Sequence, residues 1–93
     1  MNVYLATAAQ KAYDKTNEPD TSRLKKAFLE LSKEPPQGDI TRLEGHKGRY
    51  RVRVGGWRIL FRIDSDYVDP ETKEKGAVIV FEIDIRGDVY KGV

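Results

Sequence analysis

Six positive charges and no acidic residue lie between residues 47 and 62 of this chain. They are Lys47, Arg49, Arg51, Arg53, Arg58 and Arg62. The formal net charge of the whole 93-residue chain is only +2, so the signal is a local patch and not a field around the entire protein. Arginine donates hydrogen bonds in a planar fork that matches phosphate oxygens. The cluster therefore predicts a surface for a nucleic-acid backbone, on which chemistry at that backbone can take place.

The spacing of the arginines is more informative than their number. Segment 49–54 reads Arg-Tyr-Arg-Val-Arg-Val, so arginine alternates with an apolar residue. Residues two apart share a face of a β-strand, which places the arginines on one face and the apolar side chains on the other. A solvated polar face usually mixes Thr, Glu and Lys, and for that reason we favour a functional interpretation of this face over a merely solvated one.

The composition bounds the possible classes of protein. Hydrophobic residues make up 39% and charged residues 34%, as in a soluble globular protein, and the length predicts a single domain over 1–93. Without cysteine and with His46 as the sole histidine, the chain has no disulfide and no set of ligands for zinc or copper. We expect no metal, no cofactor and no membrane span, since no apolar run approaches about 20 residues. No signal-peptide pattern opens the chain, and a cytoplasmic location is expected.

The N-terminal third predicts a strand followed by two helices. A short strand is expected over 2–6, a helix over 7–16 with Thr7 as N-cap, and a second helix over 21–33 capped by Asp20 or Thr21. The second helix carries an apolar stripe at i, i+3, i+4 and i+7, formed by Leu24, Ala27, Phe28 and Leu31. The break at Asn17, Glu18 and Pro19 makes the pair an αα-hairpin.

From residue 49 onward the period of the pattern is two. Strand 49–54 is joined by the turn Gly55-Gly56 to strand 57–63, a long exposed loop is expected over 64–76, and a last strand over 77–86. The predicted core faces of the last two strands are Trp57, Ile59, Phe61 and Ile63, and Ile79, Phe81, Ile83 and Ile85. Their other faces carry Arg58, Leu60 and Arg62, and Val78, Val80, Glu82, Asp84 and Arg86.

Together these elements predict an α+β fold. The N-terminal strand and the αα-hairpin pack on one face of a small antiparallel sheet. The opposite face is expected to carry Arg51, Arg53, Arg58 and Arg86, which come from three strands. Strand pairing can bring these four side chains within reach of one bound group.

Several segments, taken in order, resemble the RelE/ParE toxin superfamily. They are Leu43-Glu44-Gly45, Tyr50-Arg51-Val52-Arg53-Val54, Gly56-Trp57-Arg58-Ile59-Leu60-Phe61, the Pro-containing link in 31–39, and the closing strand and tail in 83–91. The resemblance covers almost the whole chain. It implies a RelE-like domain over 1–93 whose α+β fold is similar to that of microbial ribonucleases.

The RelE branch of this superfamily implies a type II toxin that cuts messenger RNA on the ribosome without a metal, leaving a 2′,3′-cyclic phosphate and a 5′-OH, and so inhibits translation. It also implies a cognate antitoxin as partner. The catalytic residues carried over by position are Arg51, Arg53, Arg58, Arg86 and Tyr90. Lys47 and Arg49 are expected to contact the substrate backbone.

The identity of the general base is left open by these residues. Arginine stays protonated, and many members of the superfamily have histidine at the position of Ile85. Tyr90 can exchange a proton if its pKa falls, and Glu44 is the one acidic group near the arginine strand in sequence. Two other functions remain as alternatives: a ParE-like toxin that poisons DNA gyrase, and a nucleic-acid-binding module without activity.

Overall fold

The computed structural model describes residues 1–85, which form two helices on one side of a five-stranded sheet. The strands are β1 (Asn2–Leu5), β2 (Asp39–Arg42), β3 (Arg49–Val54), β4 (Trp57–Val68) and β5 (Lys75–Ile85), and the helices are α1 (Thr7–Asp14) and α2 (Asp20–Leu31). The strand order is β1-β5-β4-β3-β2, with β1 parallel to β5 and every other pair antiparallel. The predicted α+β fold is confirmed. The N-terminal strand, expected to pack on one face of an antiparallel sheet, instead forms an edge of the sheet and runs parallel to β5.

Both helices are shorter than the sequence pattern suggests, and neither begins at a side-chain cap. The N-cap positions are Ala6 and Pro19, so the caps predicted at Thr7, and at Asp20 or Thr21, were wrong. At the second helix the Glu18 carboxylate caps a free backbone N–H group of the first turn, because it accepts a hydrogen bond of 2.7 Å from the backbone N–H of Ser22. The hydrogen bond from the Ser22 hydroxyl, together with that from the backbone N–H, lowers the pKa of Glu18. Neither described helix is long and apolar enough to cross a membrane.

The hydrophobic core lies between the helices and one face of the sheet. From the helices it receives the buried residues Ala9, Leu24 and Leu31, and from the sheet Val52, Ile59, Phe61, Val78, Val80 and Ile83. The rings of Tyr50 and Phe61 stack across β3 and β4 with centroids 5.5 Å apart. These contacts confirm the predicted inward faces of β3 and of the first half of β4.

The hairpin that joins β4 to β5 is much longer than predicted. The loop expected over 64–76 was wrong, because β4 continues to Val68 and β5 begins at Lys75, with these two residues paired. Asp69 closes the turn by accepting hydrogen bonds from the backbone N–H groups of Glu71 and Thr72. A run of charged residues resembles a loop in sequence. The two strands of a hairpin nevertheless satisfy each other's backbone N–H and C=O groups, even when their side chains are solvated.

The edge strand β2 was not predicted. It spans only four residues, three of which are exposed, so it lacks the periodicity that identifies a strand. It pairs with β3 in the register that sets Asp39 opposite Arg53 and Thr41 opposite Arg51.

A β-bulge changes the face of β5 halfway along the strand. Leu60 pairs with Glu82 while Phe61 pairs with Val80, which leaves Phe81 as the extra residue. Val80 therefore faces the core, as does the fully buried Val78. The predicted inward positions of Ile79 and Phe81 were wrong, and so were the outward positions of Val78 and Val80.

Candidate nucleic-acid interface

Five arginines share the face of the sheet that lies opposite the helices. We call this surface the arginine face and define it by Arg49, Arg51, Arg53, Arg58 and Arg62. In the register between β3 and β4, Arg49 lies opposite Arg62 and Arg53 lies opposite Arg58. The intervening pairs include Val52 with Ile59, both buried in the core. The predicted outward positions of these arginines are thus confirmed, and no described helix lies over them.

Arg53 and Arg58 form one pair of like charges on directly opposite residues, just beside the turn at 55–56. Directly opposite residues on antiparallel strands have Cα atoms roughly 4.5–5.5 Å apart. Like charges in such positions repel each other unless an anion lies between them. Arg51 is one step further along the same face, opposite Leu60. These three side chains form the part of the surface best suited to a single phosphate.

Arg58 is also ion-paired with a carboxylate. Its Nη2 atom donates to Oδ2 of Asp84 at 2.6 Å, and the two residues lie opposite each other on β4 and β5. About a third of the Arg58 side chain and nearly half of the Asp84 side chain are exposed. Sequence reasoning placed Asp84 on this face but assigned it no chemistry, because 26 residues separate it from Arg58.

A row of four charges therefore crosses the sheet. Its members are Asp39, Arg53, Arg58 and Asp84, each opposite the next on β2, β3, β4 and β5. The two arginines occupy the centre of the row and the carboxylates its ends. Such a row can bind an anion at its centre while the flanking carboxylates limit the surplus of positive charge.

At the other end of the arginine face, the arginines contact an aromatic ring and a different carboxylate. Arg49 and Arg53 are four residues apart, about 13 Å along an extended strand. The guanidinium of Arg49 lies 5.3 Å from the ring centroid of Phe81, and Arg62 lies 3.8 Å from the carboxylate of Asp64. Lys47 is exposed in the loop that precedes β3. Lys47 and Arg49 are thus remote from the pair Arg53 and Arg58.

Arg86 and Tyr90, the remaining predicted site residues, lie outside the described residues. Within residues 1–85, no three side chains of His, Cys, Asp or Glu come together as a metal site requires. Glu44 lies exposed in the loop between β2 and β3, at the opposite end of β3 from Arg53.

A polar cluster joins β1 to the long hairpin on the same side of the sheet. The Tyr4 hydroxyl donates to Oδ2 of Asp69 at 2.6 Å, and the Asn2 amide donates to the same oxygen at 3.1 Å. The hydrogen bond from Tyr4, with those from the backbone of Thr72 and Glu71, lowers the pKa of Asp69 to about 2. The same bond to Asp69 raises the pKa of Tyr4. Both oxygens of Asp69 are engaged, which indicates a structural role.

Comparison with protein families gives a match over residues 4–90 to the ParE toxins of type II toxin–antitoxin systems, parDE. The chain belongs to this family. The matched span covers nearly the whole chain, and the resemblance to the RelE/ParE toxin superfamily is confirmed. A comparison with curated protein sequences found no match.

Solved structures of RelE toxins share the fold of this toxin. The isolated RelE toxin of E. coli has 21% identity and a TM-score of 0.67, with 98% of this chain and 92% of that chain covered. The RelB–RelE complex of Methanococcus jannaschii has 21% identity and a TM-score of 0.65, with 96% of each chain covered. RelBE2 of Mycobacterium tuberculosis has 20% identity and a TM-score of 0.64, with 91% of this chain and 96% of that chain covered.

Proposed function

We propose that this toxin is a metal-independent, ribosome-dependent endoribonuclease that cuts messenger RNA and so inhibits translation. The observation that carries the proposal is the position of Arg53 directly opposite Arg58, with Arg51 beside them, on a face that no described helix covers. Two guanidinium groups carried by directly opposite residues suit the non-bridging oxygens of a single phosphodiester.

The proposed reaction is attack of a ribose 2′-OH on the adjacent phosphorus, giving a 2′,3′-cyclic phosphate and a 5′-OH. Negative charge gathers on the non-bridging oxygens in the transition state, where arginines held by a rigid sheet stabilise it without reorganisation. Arg51, Arg53 and Arg58 take this role in the proposal. Arg86 and Tyr90 join them by position in the family: Arg86 as a further phosphate ligand and Tyr90 as a group that orients the RNA or exchanges a proton.

Lys47 and Arg49 are proposed to contact neighbouring phosphates of the same RNA strand. Their distance along β3 from the Arg53–Arg58 pair is too great for the scissile phosphate itself, because the strand separates Arg49 from Arg53 by about 13 Å. They provide affinity that depends on salt and not on the chemical step.

A cognate antitoxin is the proposed protein partner. Several similar solved structures are antitoxin–toxin complexes of RelB with RelE. The arginine face suits an acidic segment of such a partner, since complementary charge speeds association and fixes register. We place the single domain over 1–93 in the cytoplasm, where its proposed target, messenger RNA on ribosomes, is found.

A second candidate function is poisoning of DNA gyrase, as the ParE branch implies. It is supported by the family description and by the carboxylates Asp39 and Asp84, which partly neutralise the centre of the arginine face. A third candidate is RNA binding without cleavage.

Cleavage of ribosome-bound messenger RNA by the purified toxin separates these functions. We expect the wild type to cut the message, and Arg58→Ala to cut it about 10²–10³-fold more slowly, because one oxyanion donor is lost. Lys26→Ala, on the exposed side of α2, serves as control and keeps the wild-type rate. Intact message together with inhibited DNA supercoiling would replace the proposal by gyrase poisoning, and salt-sensitive RNA binding without product would replace it by the silent module.

A further inference from the structure

The proposed cleavage needs a group that accepts the proton of the 2′-OH, and the arginine face has few candidates. Arginine remains protonated in proteins, so none of the five arginines can accept it. The described side chains with accepting oxygens in the rows across Arg51, Arg53 and Arg58 are Thr41, Asp39, Glu82 and Asp84. A threonine hydroxyl is too weakly basic for this role, so among the described residues the choice is between the carboxylates.

Asp84 is the carboxylate in contact with the arginine pair. Its Oδ2 lies 2.6 Å from Nη2 of Arg58, whereas within residues 1–85 neither Asp39 nor Glu82 forms an ion pair. A phosphate bound by Arg58 therefore lies next to Asp84. The 2′-OH that attacks this phosphate belongs to the adjoining ribose, which brings it into the same neighbourhood. With nearly half of its side chain exposed, Asp84 is accessible to the ribose.

The surroundings of Asp84 orient it and leave it reachable. Arg58 faces it from β4, and Arg53 lies one strand further away in the same row. Glu82 is two residues earlier on the same face of β5. Arg58 holds one oxygen of the carboxylate. Within residues 1–85, Oδ1 accepts no hydrogen bond.

We infer that Asp84 is the general base of this reaction, an inference that rests on the proposed ribonuclease function. An oxygen of Asp84 takes the proton from the 2′-OH as the O2′–P bond forms. The P–O5′ bond breaks with its electron pair on O5′, which takes a proton from water. Asp84 then returns its proton to the solvent. Arg58 therefore has two functions, as ligand of the phosphate and as the group that positions the base.

The variant Asp84→Asn tests this inference on ribosome-bound messenger RNA under single-turnover conditions. Asparagine keeps the shape of aspartate and an oxygen that accepts the hydrogen bond from Arg58, but it cannot take the proton. We expect the cleavage rate to fall about 10²–10⁴-fold, which is the usual contribution of general acid–base catalysis. Ribosome binding should be retained. The wild type is expected to lose rate toward acidic pH, and this fall should be absent from the variant. Glu82→Gln removes the same charge from the same face and should keep both the rate and the pH profile.

Chemical rescue provides a second measurement that a structural role does not affect. Formate added to Asp84→Ala should restore part of the rate, in proportion to its concentration, since a small carboxylate can occupy the vacated position. Formate should leave Glu82→Ala unchanged. Thermal unfolding of each variant, compared with the wild type, identifies any variant that has lost its fold.

The possible outcomes separate this inference from the function on which it rests. A wild type that leaves the message intact would overturn both. A wild type that cleaves, together with an Asp84→Asn variant that is equally fast, would overturn only the assignment of the base. A faster variant would show instead that Asp84 competes with the phosphate for Arg58. A slow variant with the pH profile of the wild type and no rescue by formate would reduce Asp84 to a positioning residue.

Discussion

The guanidinium of Arg49 lies 5.3 Å from the ring centroid of Phe81, on the face of the sheet opposite the helices. This contact exists because the β-bulge in β5 turns Phe81 away from the core. Phe61, on the neighbouring strand, is 1% exposed and lies in the centre of that core. Two phenylalanines that look alike in the sequence pattern thus occupy opposite faces of one sheet.

Phe81→Ala and Phe61→Ala are expected to differ strongly in stability. Loss of the cation–π contact at Phe81 should lower the free energy of unfolding by about 1 kcal/mol. The cavity left at Phe61 should lower it by about 3–5 kcal/mol. Urea unfolding monitored by Trp57 fluorescence measures both values. Equal losses would contradict the position that the bulge gives to Phe81.

An oxyanion should stabilise the toxin by relieving the repulsion between Arg53 and Arg58. We expect sulfate to raise the melting temperature of the wild type more than that of Arg53→Ala. At low salt and without sulfate, Arg53→Ala should stay within about 1 kcal/mol of the wild type, because it loses both the repulsion from Arg58 and the attraction of Asp39 on β2. Lys26→Ala should respond to sulfate as the wild type does. Thermal unfolding with and without the anion checks this, and an equal gain in Arg53→Ala would count against a shared anion site.

The hydrogen bonds to Asp69 should make stability depend on pH in the acidic range. The pKa of Asp69 is about 2 in the folded toxin, below its ordinary value of 3.8. A lowered pKa means that the stabilisation is complete above about pH 4 and is lost as the pH falls toward 2. Tyr4→Phe removes the hydrogen bond that contributes most to the lowered pKa of Asp69, so stability should depend less on pH in this range. Tyr50→Phe, on the other face of the sheet, should leave this dependence unchanged. Urea unfolding between pH 2 and 7 provides the measurement; identical slopes in the wild type and Tyr4→Phe would refute it.

Gly38 should tolerate substitution far less well than Gly56. Gly38 has a φ of +131° just before β2, and an added Cβ would lie 3.1 Å from Cγ2 of Val52. Gly56 has nothing within 4 Å of the same position. Gly38→Ala is therefore expected to lose more than about 1 kcal/mol, while Gly56→Ala should stay near the wild type. Chemical denaturation compares them, and a neutral Gly38→Ala would show that β2 adapts its backbone.

Much of the fold can be predicted from the sequence, because the relevant signals are local. The alternation in 49–54 and the glycines at 55–56 predicted β3, the turn and the start of β4, and the stripe on the second helix predicted Leu24 and Leu31 as core residues. These predictions succeeded because a face of a strand or helix follows from the backbone period alone. The strand β2 was not predicted and the segment 64–76 was predicted wrongly as a loop, because the polar residues of both carry no such period.

The candidate site also has one part that follows from the sequence and another that depends on the tertiary structure. The sequence by itself determined that Arg51, Arg53 and Arg58 share one outward face, since each strand's alternation is independent of its neighbours. Only the tertiary structure decided that Arg53 lies opposite Arg58, that Asp39 and Asp84 flank them, and that Phe81 faces outward. Register and bulges depend on the pairing of strands far apart in the chain, and a shift of one residue reverses every face beyond it.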